Sequence, residues 1–304
     1  MGPKRAVTID CCGASTGLEC ADSSMKLSQE RAQIFVPDQS PLGVALPRTT
    51  HLGIGAHADD LEIMAAHGIL SCFASAERWF TGVVVSDGAG SARAFEYQAY
   101  TDEQMKAVRR AEQKKAAYVG EYGAQFLLEH PSSVVKDAAN AEPLADLIEI
   151  LRATTPEVVY THNLADKHDT HVAVALRVIA ACRALEPSAR PRRLLGGEVW
   201  RDLDWLSDAD KLPLPLERRE HLQSALLGVF DSQIAGGKRY DLATAGRRRA
   251  HATYSESHGT DQHSALSWGM DLTPLMHEGD PARYVAELVQ RFDEDVTARV
   301  RRLA

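Results

Sequence analysis

From residue 51 onward, short apolar runs alternate with longer segments of helical spacing. His51-Leu52-Gly53-Ile54-Gly55 is too short for a helix and reads as a buried strand, taken over 51–57. Leu61, Met64, Ala65 and Ile69 then recur at helical intervals, which predicts a helix over 60–75. The same reading gives strand 80–86 and helix 102–121, then strand 124–129 and helix 142–153. Strand 157–161 and helix 171–185 follow, and a strand near 193–200 ends the series. Strands that alternate with helices imply a mostly parallel sheet with right-handed crossovers. The expected class is α/β, a Rossmann-like sheet flanked by helices. Beyond residue 200 the alternation stops. Helices are expected over 216–233 and 242–254, parted by Gly236-Gly237, and an amphipathic helix over 281–303. Residues 201–304 thus read as a mainly helical extension with loops.

Before the first strand, residues 1–28 read as a flexible, Gly/Ser-rich arm, and 29–50, with Pro37, Pro41 and Pro47, as an extended connection. Residues 29–304 are taken as a single catalytic domain. The 304 residues can bury a substantial core, and 44% hydrophobic with 25% charged residues is ordinary for a globular chain. A net charge of -8 gives no reason to expect nucleic acid, and Arg247-Arg248-Arg249 reads as a solvated helix face. No segment reaches the roughly 18 apolar residues of a membrane span. No apolar signal core follows Met1 to Arg5, so a cytoplasmic protein is expected. Five cysteines, an odd number without regular spacing, argue against a disulfide framework. A homo-oligomer is left open.

Candidate chemistry gathers in two loops that each follow a strand and precede a helix. The first is Ala56-His57-Ala58-Asp59-Asp60-Leu61-Glu62. The second runs from His162-Asn163 through Asp166-Lys167-His168-Asp169-Thr170-His171. In a parallel sheet such loops leave one edge together. His57, Asp60 and one histidine of the second loop would make two imidazoles and a carboxylate with an open position. That is a catalytic zinc pattern, also suited to ferrous iron or manganese. Asp59 stays free as a base for water. The long loop 87–100 leaves the same edge. Leu52-Gly53-Ile54-Gly55 puts its glycines before the turn, which rules out a dinucleotide fingerprint. Trp200 and Trp205 read as a core pair with flanking charges ahead of a wall for a sugar site, and the polar run 255–263 as a surface loop ahead of one that closes over the site.

Four segments, in order, resemble the PIG-L/LmbE-like deacetylases. Gly55 to Glu62 is similar to their A-H-P-D-D-x-E signature, and Asp166 to His171 to their D-x-H-P-D-H motif. Val83 to Gly88 resembles the strand and turn between, and Arg109-Arg110-Ala111-Glu112 their R-x-x-E helix. More weakly, Asp231-Ser232-Gln233 resembles a late helix ending H-x-S-Q. The resemblance implies a zinc-dependent hydrolase that removes an N-acyl group, commonly acetyl from an amino sugar, by metal-activated water. The substrate would be a small N-acylated molecule. It also implies roles. His57, Asp60 and His171 would hold the metal, and Asp59 would be the base. His168 would polarise the carbonyl, and Arg109 would touch substrate. Ending a strand at the same edge, His162 is a further candidate for substrate contact.

Two departures from the family pattern matter. Ala58 stands where the family has proline, and Thr170 where it has aspartate. An imidazolium at His168 needs a carboxylate nearby. With Thr170 unable to serve, Asp166 is expected to supply it, ahead of Asp169. Two other readings stay open: a ligand-binding protein on the same scaffold, and an amidase on a non-sugar intermediate.

Overall fold

The computed structural model describes residues 25–304. Cys11, Cys12 and Cys20, and all but the last four residues of the expected arm, lie outside that range. Eight strands form one sheet among the described residues. In chain order they are β1 (Gln33–Phe35), β2 (His51–Gly55), β3 (Phe80–Ser86), β4 (Ala124–His130), β5 (Val158–His162), β6 (Arg193–Gly197), β7 (Lys211–Pro215) and β8 (Leu266–Asp271). The helices are α1 (Leu42–Ala45), α2 (Asp60–Met64), α3 (Ala66–Cys72), α4 (Asp102–Val119), α5 (Ser132–Lys136) and α6 (Glu142–Thr154). Then come α7 (Asp169–Arg183), α8 (Glu220–Gly228), α9 (Asp231–Ile234), α10 (Tyr240–Thr253) and α11 (Pro281–Leu303).

The sheet runs β1-β4-β3-β2-β5-β6-β8-β7. Its five central strands, β4 to β6, are parallel, and the edge strands pair antiparallel. Side chains alternate between two cores, as pleating requires. Val83 and Val85 join Leu52, Ile54 and Val159 in a core with α6 and α7 residues such as Ile150 and Val178. Val84 and Tyr160 go to the other face, with Leu61, Ile69, Ala117 and Leu226. The central strands are buried on both faces, which is why they read as continuous apolar runs.

Strand order reverses between β2 and β5, the successive strands going outward on opposite sides of that pair. Crevices for ligands open at the carboxyl ends of strands at such a switch point. Both His/Asp loops leave the sheet there.

Three expectations are corrected. The helix over 60–75 is two helices, α2 and α3, broken at Ala65, whose φ of -105° and ψ of 14° are not helical. The extended connection 29–50 holds a three-residue strand and a helical turn, α1. Helix 216–233 is shorter and ends in two pieces, α8 and α9, and the extension contributes β7 and β8 to the sheet. Pro213 and Pro215 hid β7, for proline within a strand is confined to edges, and β7 is the edge.

Candidate metal centre

The first loop starts at Gly55. A Cβ there would lie 3.0 Å from the Asp60 Cβ, so the missing side chain lets the acid fold back over the strand end. The His57 N–H then donates to Asp60 Oδ2 at 2.7 Å. Asp59 turns the corner with φ of 86°, unusual for a residue with a side chain and costing on the order of 1–3 kcal/mol. Buried partners hold it there. The Asp59 N–H donates to Gln113 Oε1 at 3.3 Å, and Arg109 donates to Asp59 Oδ2 at 2.8 Å.

The second loop brings His171, in the first turn of α7, against the first loop. His57 Nδ1 lies 3.1 Å from His171 Nε2 and 3.3 Å from Asp60 Oδ2. His171 Nε2 lies 3.5 Å from the same oxygen. Donors on a tetrahedral ion, at about 2.0–2.1 Å from it, stand roughly 3.3 Å apart. The three observed separations bracket that value. Two imidazoles and one carboxylate also match a catalytic zinc donor set, and the residues present fit a divalent ion. A ligand imidazole must be neutral. Burial pushes His171 down to about 4 despite Asp60, which leaves it neutral. Burial works against the Asp60 carboxylate, but His171, His162 and His57 hold it well below the usual range.

His168 caps α7 and lies beside both ligand candidates, its ring 4.9 Å from that of His57 and 4.5 Å from that of His171. Burial, followed by His57, pushes it down. Expected to serve the His168 ring, Asp166 does not reach it. Its Oδ1 accepts the His168 backbone N–H at 3.0 Å and its Oδ2 the Trp200 N–H at 3.1 Å. That second oxygen faces His171 Nδ1 at 3.5 Å. Asp166 therefore backs a ligand candidate, the usual place for a carboxylate behind a metal-bound histidine. Asp169, the other candidate, is exposed.

His162 also differs from its expected place. It is fully buried, its Nε2 accepts the Ala56 N–H at 2.9 Å, and its ring stacks on His171 at 3.9 Å. Its strand carries it beneath the site, where it supports His171 rather than facing a substrate. Arg109 edges the cavity but spends its donors on the protein: Asp59, the Ala58 carbonyl, Glu112 at 2.8 Å and Ser232 at 3.2 Å. Glu112 in turn accepts the Ser232 N–H and Oγ–H at 2.7 and 2.8 Å. The weak Asp231-Ser232-Gln233 signal thus marks the far end of a buried chain that runs to Asp59. Burial raises Asp59 to about 7, with Arg109 opposing.

A cavity of about 340 Å³ opens over His57, Asp59, Asp60 and His168. Gly88, Ser91 and Ala92 of the 87–100 loop wall it, as that loop's position predicted. Trp200 lines it too, whereas Trp205 packs on the main core, so the expected core pair is split. Lys136, Lys238 and Tyr240 had no signal in the sequence and reach the cavity through the tertiary fold. Lys238 lies over the Trp200 ring at 5.1 Å. Among the described residues neither lysine has a carboxylate within ion-pair distance. The 255–263 loop lies outside the cavity lining and is mostly exposed.

Comparison with known proteins agrees with this geometry. The family described as PIG-L: GlcNAc-PI de-N-acetylase matches residues 52–182, which span both loops. No curated protein matches the sequence. Among solved structures, a conserved protein from Thermus thermophilus is similar at a TM-score of 0.59 and 17% identity, over 77% of this chain and 98% of that one. The N,N'-diacetylchitobiose deacetylase of Pyrococcus horikoshii gives 0.56 and 15%, over 72% and 83%. The 4-carboxy-2-hydroxymuconate hydratase GalB of Pseudomonas putida gives 0.56 and 18%, over 76% and 99%. At such identities the structures speak for the fold alone, and they carry different reactions on it. Both motif loops lie inside the segment that matches this family, and the sheet agrees with the fold of the similar structures.

Proposed function

We propose that this chain is a metal-dependent hydrolase that removes an N-acyl group, acetyl in the first place, from an amino sugar or a related small polar amide. One observation carries the reading. His57 Nδ1, His171 Nε2 and Asp60 Oδ2 converge within 3.1–3.5 Å beside a cavity into which a buried carboxylate, Asp59, also faces.

His57, Asp60 and His171 would hold the ion, zinc by donor set, with ferrous iron or manganese as substitutes. Once bound, a divalent ion supplies Lewis acidity, which makes water more acidic and polarises a carbonyl oxygen. Asp59 takes the proton from the attacking water and can return it to the leaving nitrogen. A base serves best with a pKa near working pH, and burial already lifts Asp59 to about 7. Arg109 fixes the direction of that carboxylate. His168 offers an N–H to the carbonyl oxygen as charge builds on it. Asp166 and His162 steady the ring of His171. The outer cavity favours a polar substrate that carries an anionic group, since Lys136 and Lys238 face it without carboxylate partners among the described residues.

The test pairs elemental analysis with amine release from a panel of neutral and phosphorylated N-acyl amino sugars. His57→Ala and His171→Ala should lose the metal. Asp59→Asn should keep it and lose about 10²–10⁴-fold in rate. Full metal occupancy in both histidine variants would overturn the ligand set. Metal and ligand binding without any amine release would make the chain a binding protein on this scaffold.

A further inference from the structure

The C-terminal helix α11 is anchored at its start and bare at its end. Asp280 caps it through the Arg283 N–H at 2.7 Å, and Pro281 takes the first turn. Tyr284 and Val285 pack on the main core, and Leu288 is buried. Arg291 closes the anchored part with two hydrogen bonds to Asp210, at 2.8 and 3.0 Å. From Gln290 onward, Arg291 aside, the side-chain hydrogen bonds among the described residues stay within the helix.

The bare part is nevertheless apolar on one side. Val289, Phe292, Val296, Val300 and Leu303 are 38–76% exposed. At about 100° per residue they fall within an arc of roughly 80°. Val285 lies on the same arc, so the stripe that docks the helix to the core continues into solvent. Contiguous exposed apolar surface of this kind marks an interaction site.

The stripe has a symmetry that selects its partner. In an antiparallel pair of identical helices, residues equidistant from the two-fold axis oppose each other. With the axis at Val296, Val289 of one copy meets Leu303 of the other, and Phe292 meets Val300. Every apolar position then has an apolar partner, and Val296 meets itself. Charge agrees with that direction. Asp293, Glu294 and Asp295 precede Val296, whereas Arg299, Arg301 and Arg302 follow it. Asp295 and Arg299 border the stripe on one side, and antiparallel pairing about Val296 sets Asp295 of each copy beside Arg299 of the other.

We propose that α11 pairs with α11 of a second copy of this chain, antiparallel about Val296, to form a two-fold dimer. Such an isologous contact closes on itself and does not propagate. Its apolar stripe is only about 21 Å long and one helix wide. A contact of that size falls short of the roughly 1,200–2,000 Å² that a specific, stable interface buries, so the dimer dissociates on dilution.

Sedimentation velocity of the full chain over a dilution series should show a monomer–dimer equilibrium. Val296→Glu puts two carboxylates together on the axis and should weaken association at least about tenfold, a change of 1.4 kcal/mol. The far-UV spectrum and melting point of that variant should stay as in the parent, because Val296 lies outside the core. Direction is read by crosslinking. Val296→Cys should give a disulfide dimer on mild oxidation. Val289→Cys alone should not, but Val289→Cys mixed with Leu303→Cys should. A monomer at every concentration would overturn the proposal. So would a dimer indifferent to Val296→Glu, or self-crosslinking of Val289→Cys, which would indicate parallel pairing or another interface.

Discussion

Arg109→Met is the substitution that best separates the buried chain behind Asp59 from a substrate contact. The guanidinium is 4% exposed and donates to two carboxylates, Asp59 and Glu112, at 2.8 Å each. Methionine keeps much of the packing volume and leaves both acids without their cation. Removing one partner of a buried ionic network costs about 3–5 kcal/mol, chiefly through the charge left behind. At roughly 2–4 °C per kcal/mol for a domain of this order of size, the melting point should fall by about 6–20 °C. Glu112→Gln in the same background removes one stranded charge and should recover part of the loss. A coupling of about 1–3 kcal/mol between the two positions is expected from residues sharing one network. Asp59 should respond as well. Burial raises it and Arg109 opposes that rise, so without Arg109 its carboxyl goes above about 7. The acid limb of kcat/KM should then move to higher pH. Thermal unfolding of the single and double variants measures the cycle, and a pH series of amine release measures the limb. A loss below about 1 kcal/mol, or strict additivity, would refute the network. A raised KM with unchanged stability and an unchanged limb would make Arg109 a substrate contact.

Three further outcomes follow from the same geometry. Asp166→Asn removes the carboxylate that faces His171 Nδ1, so metal affinity, read by competition with a chelator, should fall about 10–100-fold. Lys238→Gln should raise KM for phosphorylated N-acyl amino sugars and leave neutral ones unchanged; equal effects on both would dissociate Lys238 from anion recognition. Burial raises Glu62 from 4.5 to about 7, so the folded state holds its proton more tightly than the unfolded chain does. Its stabilising effect is full below 4.5 and is lost as pH rises through about 7. In metal-free protein Glu62→Gln should therefore gain on the parent between pH 6 and 8, by on the order of 2–3 kcal/mol, in melts followed by circular dichroism.

Legibility in the sequence tracked how local the physics was. The parallel centre of the sheet was readable because strands buried on both faces must be apolar throughout. Leu52, Ile54, Val83, Val84 and Val159 could hardly have been anything else. The break at Ala65 was not readable, because the apolar spacing runs through it and α2 is set instead by Asp59, whose positive φ is imposed from outside by Gln113 and Arg109. The strands β7 and β8 were missed for a related reason. Their pairing partners lie far away in the chain, and the local signals in β7, two prolines in five residues, speak against a strand.

Within the site, position was legible and partnership was not. Both His/Asp loops could be placed at one sheet edge, since a strand-to-helix turn in a parallel sheet has only one edge to occupy. Which carboxylate serves which imidazole depends on ring orientation, which motif spacing does not carry. Asp166 sits two residues before His168, and sequence proximity suggested that pair. In the fold, the loop between them is stitched by the backbone bond from His168 to Asp166 Oδ1. That bond turns the second oxygen toward His171 and the Trp200 N–H. An acid two residues before a histidine can bond that histidine's backbone as an Asx turn, and one that does so has a free oxygen only for something else. Thr170, where the family pattern has aspartate, is buried and lines the cavity as a neutral hydroxyl, and nothing in the structure explains that change.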